Sequence, residues 1–288
     1  MEILFLMGLL VFCLLYFPSK GKYSEYIEPL NVKEFKLLSL LPMGFYVMDK
    51  LQYRYNTAYD RRLKIKSSEL YGAKYADFYL WVHWANKITS LIVVFELICL
   101  IGAAWGEYDP SYPVLALVFL GATFFGLDKE LEGKIQKRKL SIQSDFPDFI
   151  NKLTLLLNAG MTVSKAWERI SEESNFDSPF YREVEFAIIE IKNGKAEAAA
   201  YEDFARRCRV VEITKFASII IQNLRKGSSQ MVLVLQSMSK DCWEMRKHVA
   251  KRMGEEASTK LLFPMMFNFL VVIVIVGMPA FMAMQQAN

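Results

Sequence analysis

All 35 Lys and Arg residues of the chain fall in two blocks, residues 20–87 and 129–260. The stretches between and around them, 1–19, 88–128 and 261–288, contain none and are almost wholly apolar. Basic side chains are costly to move across a bilayer, so segments rich in them stay on the cytoplasmic side. The partition therefore predicts two cytoplasmic blocks joined by membrane passes. The net charge of +4 is too small to point to a nucleic-acid partner.

Four apolar runs are candidates for spanning: Ile3–Phe17, Ile88–Trp105, Tyr112–Leu127 and Leu261–Met284. A crossing helix needs about 20 apolar residues, so the first and third must borrow flanking residues. Tyr16, Trp81, Trp84, Trp105, Tyr108 and Tyr112 lie at or near run ends, where interfacial aromatics belong. The first run has no Lys or Arg before it and exits through Phe17-Pro18-Ser19-Lys20, without a small-residue cleavage site. It is expected to be an uncleaved anchor with its N-terminus outside. Val11-Phe12 are too large for Cys13 to be a lipoprotein cysteine. The expected order is an anchor (1–19), a cytoplasmic helical connector (20–87), a transmembrane hairpin (88–127), a cytoplasmic domain (128–260) and a last pass with an outer tail (261–288). The apolar segment Phe35–Met48 contains Lys36, Pro42 and Gly44 and is too short to span, so an interfacial or buried helix is expected.

Within the cytoplasmic blocks the pattern is helical throughout. Residues 50–70 read as a connector rich in Tyr, Arg and Lys. Ala73–Lys87 reads as a short amphipathic helix leading into the second pass, its aromatics at the membrane surface. In the second block, Phe146, Phe149, Ile150, Leu153, Leu156 and Leu157 share one helix face. Gly160 suits the left-handed position after that helix, and Thr162 suits the N-cap of a helix carrying Val163, Ala166, Trp167 and Ile170. Ser178-Pro179 opens a stripe of Phe180, Val184, Ala187, Ile188 and Ile191, closed by Gly194. An Ala-rich helix follows over about Ala196–Cys208. Ile213, Phe216, Ala217, Ile220 and Leu224 form the next stripe, closed by Gly227. Ser228 or Ser229 is expected to cap a last helix with Met231, Leu235, Met238, Cys242, Met245 and Val249 on its buried side. Six amphipathic helices with short connections make an antiparallel bundle with its own core. The expected fold class is all-α: a polytopic membrane protein with about four transmembrane helices and a six-helix cytoplasmic bundle.

Motifs for catalysis are missing from the sequence. Neither Gly194-Lys195 nor Lys226-Gly227-Ser228 has phosphate-loop spacing, and there is no G-x-S-x-G or H-E-x-x-H. The four cysteines lack metal-ligand spacing, so reduced thiols and no cofactor are expected. His83 and His248 read as surface or interface residues, and the carboxylates of the bundle as solvated faces. Glu96 stands apart, in the middle of the second run, where an ionisable group is a functional candidate by default. It can be a hydrogen-bonded joint between helices or subunits, with Asn268 of the last run as one partner. It can also touch a membrane substrate, or sit at the lipid edge. Pro264, Gly277 and Pro279 are expected to shape the last pass. An intramembrane peptidase needs paired membrane aspartates, and a small-solute transporter leaves the large cytoplasmic bundle unexplained. A signalling receptor needs sustained heptads.

The ordered set Asp145-Phe146-Pro147-Asp148-Phe149, Ala159-Gly160-Met161, Gly194, Phe216-Ala217, Lys226-Gly227, Glu255-Glu256-Ala257 and Lys260-Leu261-Leu262-Phe263-Pro264 resembles the F domain of type II secretion and type IV pilus platform proteins. The resemblance covers roughly residues 140–284. A single F domain after two passes is most similar to the Tad or Flp-type branch. The resemblance implies a non-enzymatic platform in the cytoplasmic membrane. Its implied partners are a hexameric secretion ATPase, a second F-domain subunit, pilin-like substrates and lipid, in a homo- or hetero-oligomer. It also implies that Pro147, Gly160, Gly194, Gly227, Lys260 and Pro264 are fold positions rather than contact positions.

Overall fold

The computed structural model describes residues 2–30, 35, 37–53, 55–105, 112–173, 178–224 and 228–286, and every regular element among them is helical. In chain order these are α1 (Glu2–Ser19), α2 (Ser24–Ile27), α3 (Leu41–Leu51), α4 (Ala58–Tyr71), α5 (Ala76–Trp105), α6 (Tyr112–Asn158), α7 (Val163–Glu172), α8 (Pro179–Lys192), α9 (Glu197–Cys208), α10 (Val211–Leu224) and α11 (Ser228–Gln286). A single 3-10 turn, Ala73–Tyr75, precedes α5. The helices group into two units, Met1–Arg138 and Lys139–Asn288.

In the first unit α1, α3 and α4 all pack on α5. The short helix expected before the second pass is instead continuous with it: α5 is 30 residues long. No proline falls between residues 73 and 105 and the first glycine is Gly102, so nothing in this stretch breaks the helix at the membrane boundary. The ambiguous segment Phe35–Met48 supplies α3, with Pro42 in its first turn and Leu41, Met43, Gly44, Phe45 and Met48 buried. At 11 residues it reaches about 16 Å, far short of a bilayer. Gly44 lets α3 approach closely: a Cβ there would meet the Ala85 carbonyl and the Thr89 hydroxyl. Trp81 packs into this joint, 4.3 Å from the Phe45 ring centroid and 4.8 Å from that of Tyr26, so it serves an internal core. Helix α4 starts on a capping box, in which Thr57 and Asp60 satisfy each other's backbone N–H groups.

In the second unit the sequence stripes become one core. Phe146, Phe149, Ile150, Leu153, Val163, Ala166, Trp167, Phe180, Val184, Ile213, Phe216 and Leu235 are all buried within it. Trp167 sits at its centre, with ring centroids of Tyr201, Phe149 and Phe204 at 4.6, 5.0 and 5.0 Å. Ser178 caps α8 by accepting from the Phe180 N–H, whereas Thr162 occupies its N-cap position without a side-chain bond. Two details differ from expectation. Leu224 is exposed at the end of α10 rather than buried with the rest of its stripe. Ser228 is already the first residue of α11, so it lies inside the helix and not at its cap. The first bundle helix is the end of the 47-residue α6, which carries Pro147 internally. The side chains of Met245 and Val249 lie outside the described residues.

Candidate functional site

Exposed large apolar side chains concentrate in the runs that lack Lys and Arg: Leu10 and Leu14 on α1, Leu97 and Ile101 on α5, Leu117 and Val118 on α6, Phe263 and Met266 on α11. Apolar surface of this extent marks contact with lipid or partner. Among the described residues one helix, Ala73–Ala103, is long and apolar enough to cross a membrane; Gly8–Ser19 and Ser258–Ile273 are shorter apolar stretches.

Between α1, α5 and α6 of the first unit lies an apolar groove of about 800 Å³, walled by Phe12, Ile92, Phe95, Gly121 and Phe125 among others. Glu96 projects into it. Its Oε1 is buried and has no hydrogen-bond partner among the described residues. Gly8 makes room for the carboxyl group, because a Cβ on α1 at that point would collide with Glu96 Oε2.

Phe124, another residue of the groove wall, lies under the ammonium group of Lys87, 3.7 Å from Nζ to the ring centroid. Lys87 is 0% exposed. Its Nζ donates to both oxygens of Asp128 at 2.8 and 2.9 Å and also to the Tyr59 hydroxyl. Asp128 further accepts from Tyr59 at 2.5 Å and lies 3.0 Å from His83 Nε2. Burial pushes the Asp128 carboxyl up, but the bonds from Lys87, Tyr59 and His83 outweigh it and hold the group below the usual carboxylate range. Burial is also the main cause that raises the Tyr59 phenol, with Asp128 adding to it. Beside this cluster Asp60 accepts from Trp84 Nε1 at 2.9 Å and from Tyr53 at 2.9 Å. His83 is therefore a buried member of a polar cluster, not a surface residue, because its helix turns it towards Asp128 on α6. His248 is exposed on α11.

Sequence reasoning missed this cluster, although one signal was available. Lys87 immediately precedes the second apolar run and Asp128 immediately follows the third. An antiparallel pair of passes brings such end residues to one level. A second missed cluster joins α8 to α9. Arg207 donates to Glu183 at 2.7 Å and to Glu190 at 3.1 Å, and Lys195 bridges Glu190 and Asp203. These carboxylates are not the freely solvated ones expected. Burial raises the Glu190 carboxyl, but Lys195 and Arg207 outweigh it and lower it overall.

The residues expected to shape the fold are placed as follows. Gly160 (φ +87°) and Gly194 (φ +89°) are both in the left-handed region after helix ends. At each, the glycine N–H and the next one reach back to helix carbonyls: Gly160 to Leu157 and Met161 to Leu156, Gly194 to Ile191 and Lys195 to Glu190. That is the Schellman arrangement, which only glycine enters without a Cβ penalty. Pro147 is buried inside α6, and Lys260 and Pro264 are exposed on α11, which continues helical through them. Asn268 is likewise exposed on α11. Gly227, and the outer loop Gly106–Ser111 with Glu107 and Asp109, lie outside the described residues.

The described residues are all-α, with a helical module around an aromatic core, exposed apolar helix faces and one helix long and apolar enough to cross a membrane. Residues 149–279 match the family model described as type II secretion system (T2SS), protein F. Just under half of the chain is thus similar to a domain of the protein F family, whose platform proteins are structural rather than enzymatic components. No curated protein and no solved structure matches the chain.

Proposed function

We propose that the protein is a platform subunit of a Tad or Flp-type pilus assembly machine, coupling a cytoplasmic hexameric ATPase to the extraction of pilin-like subunits from the membrane. The observation that carries this reading is the single protein F domain at 149–279, in a chain whose exposed apolar faces fall in its Lys- and Arg-free runs. One F domain preceded by two adjacent apolar runs is the arrangement that favours the Tad-type branch. Four passes, at residues 1–19, 88–127 and 261–284, leave both basic blocks in the cytoplasm. The polar faces of the bundle and the stretch 50–70 meet the ATPase. The Glu96 groove faces the membrane and is the side open to other membrane helices. A second F-domain protein completes the platform.

The test is recovery of the tagged protein in mild detergent from cells that express the whole machine. Co-purification of a secretion ATPase or a second F-domain protein is expected. Repeated recovery of neither from intact membranes refutes the proposal.

A further inference from the structure

Another cavity of the first unit, of about 710 Å³, lies where α1 ends. That volume is within the range of small-molecule sites, about 300–1,000 Å³. Phe35, Leu38 and Pro42 give it an apolar wall. Two opposite charges line it as well, Lys20 just after α1 and Glu28 just after α2. Neither is ion-paired among the described residues, whereas Lys22, two positions on from Lys20, pairs with Asp49 at 3.4 Å. No other charged side chain among the described residues lines the cavity, and the Ser39 hydroxyl adds a donor to it. Its place beside the bilayer follows from α1. Leu10, Leu14 and Phe17 stand at i, i+4 and i+7 on one helix face, and all three are exposed. Tyr16 lines the cavity from the last turn of the same helix, and Lys20 Nζ lies 5.9 Å from its ring centroid. An aromatic ring and a lysine at the end of an apolar helix sit at the level of the lipid headgroups.

We propose that this cavity binds the headgroup of a zwitterionic phospholipid, with Lys20 Nζ on the phosphate and the Glu28 carboxylate on the ammonium of phosphoethanolamine. A purely anionic headgroup would set negative charge against Glu28, and an uncharged one would leave both side chains unanswered. The glycerol and the first acyl carbons meet Phe35, Leu38 and Pro42, a contact that a water-soluble headgroup does not make. Helices α1, α2 and α3 all contribute to the lining, so a bound lipid ties the exit of the first pass to α3. The inference rests on the proposed topology, in which α1 is a membrane pass ending near Lys20, but not on the identity of the machine.

The test is native mass spectrometry of the delipidated full-length chain, released from detergent with phosphatidylethanolamine, phosphatidylglycerol or soluble glycerophosphoethanolamine. Retention of one phosphatidylethanolamine is expected, in clear preference to phosphatidylglycerol and to the soluble headgroup. Lys20→Ala should weaken binding of both lipids about tenfold, the loss of one charge-assisted contact. Glu28→Gln should abolish the preference between the two lipids, and Glu28→Lys should reverse it. Lys22→Ala, which removes a neighbouring lysine that does not line the cavity, should change nothing. All three positions are exposed, and an unshifted melting temperature of each lipid-free variant shows that it folds. Equal binding of the two lipids by the wild type overturns the inference. So does a loss in Lys22→Ala equal to that in Lys20→Ala, or retention of the soluble headgroup as tight as that of the lipid. The topology is read separately, by labelling Glu2→Cys in intact cells with an impermeant thiol reagent. The background is Cys13→Ser, since the other three cysteines are buried. Labelling from outside together with no lipid preference overturns the inference alone. Labelling only after the cells are permeabilised overturns the topology and the inference with it.

Discussion

Replacing Asp128 with Ala should destabilise the first unit far more than replacing Lys87 with Met, although the two side chains are partners in one ion pair. The difference comes from what each partner retains. Lys87 is 0% exposed, and without Asp128 its ammonium keeps only the Tyr59 hydroxyl and the ring faces of Phe124, Trp84 and Tyr59. Leaving a buried charge without its counter-ion costs about 3–5 kcal/mol. Asp128 is 16% exposed in its side chain and without Lys87 still has Tyr59 and His83 beside it, so about 1–3 kcal/mol is expected. The double change Lys87→Met with Asp128→Leu removes both charges and should recover most of the loss. For a chain of this size 1 kcal/mol corresponds to about 2–4 °C in melting temperature. Asp128→Ala should therefore lower the midpoint by roughly 10 °C, Lys87→Met by about half as much, and the double variant by least. Thermal melts in mild detergent, read by tryptophan fluorescence, will report the change well because Trp84 borders the pair. Equal losses in the two single variants, or a double variant worse than both, would refute a buried pair of unequal partners.

Three further outcomes follow from the geometry. Gly44→Ala should cost about 1–3 kcal/mol, because its Cβ meets a backbone carbonyl on α5 that cannot rotate away; denaturation in detergent measures this, and no loss would mean that α3 and α5 are farther apart. Trp167→Ala should cost about 3–5 kcal/mol by emptying the centre of the bundle core, visible as loss of protease resistance in residues 139–260. Glu190→Gln should flatten the acid limb of the stability profile. The folded carboxyl is lowered, so its stabilisation is present above the ordinary Glu value of about 4.3 and is lost as pH falls through the lower folded value; melts between about pH 3 and 7 should diverge from the wild type mainly above that window and converge below it.

The charge partition and the helix stripes were legible in the linear chain because they depend on one helix at a time. A residue's position on a 3.6-residue turn decides its face, so Phe146, Phe149, Trp167, Phe180 and Phe216 could be assigned to a core before any partner was known. Gly160 and Gly194 were legible for the same local reason, since a helix end and its left-handed residue are neighbours in sequence. Glu96 was singled out by composition alone, as an acid in a hydrocarbon run. Its surroundings were not, because the room that Gly8 provides comes from a helix 88 positions earlier in the chain. The Lys87–Asp128 pair spans 41 positions, and Asp60 and Trp84 span 24. No periodicity links such residues. They meet because α4, α5 and α6 pack side by side, and that packing buried Lys87 and His83. The sequence by itself determined which faces are apolar and which segments keep their charge. Only the tertiary structure decided which charges are paired and which carboxyl oxygen is left without a partner, because pairing depends on distances between helices that the order of residues does not contain.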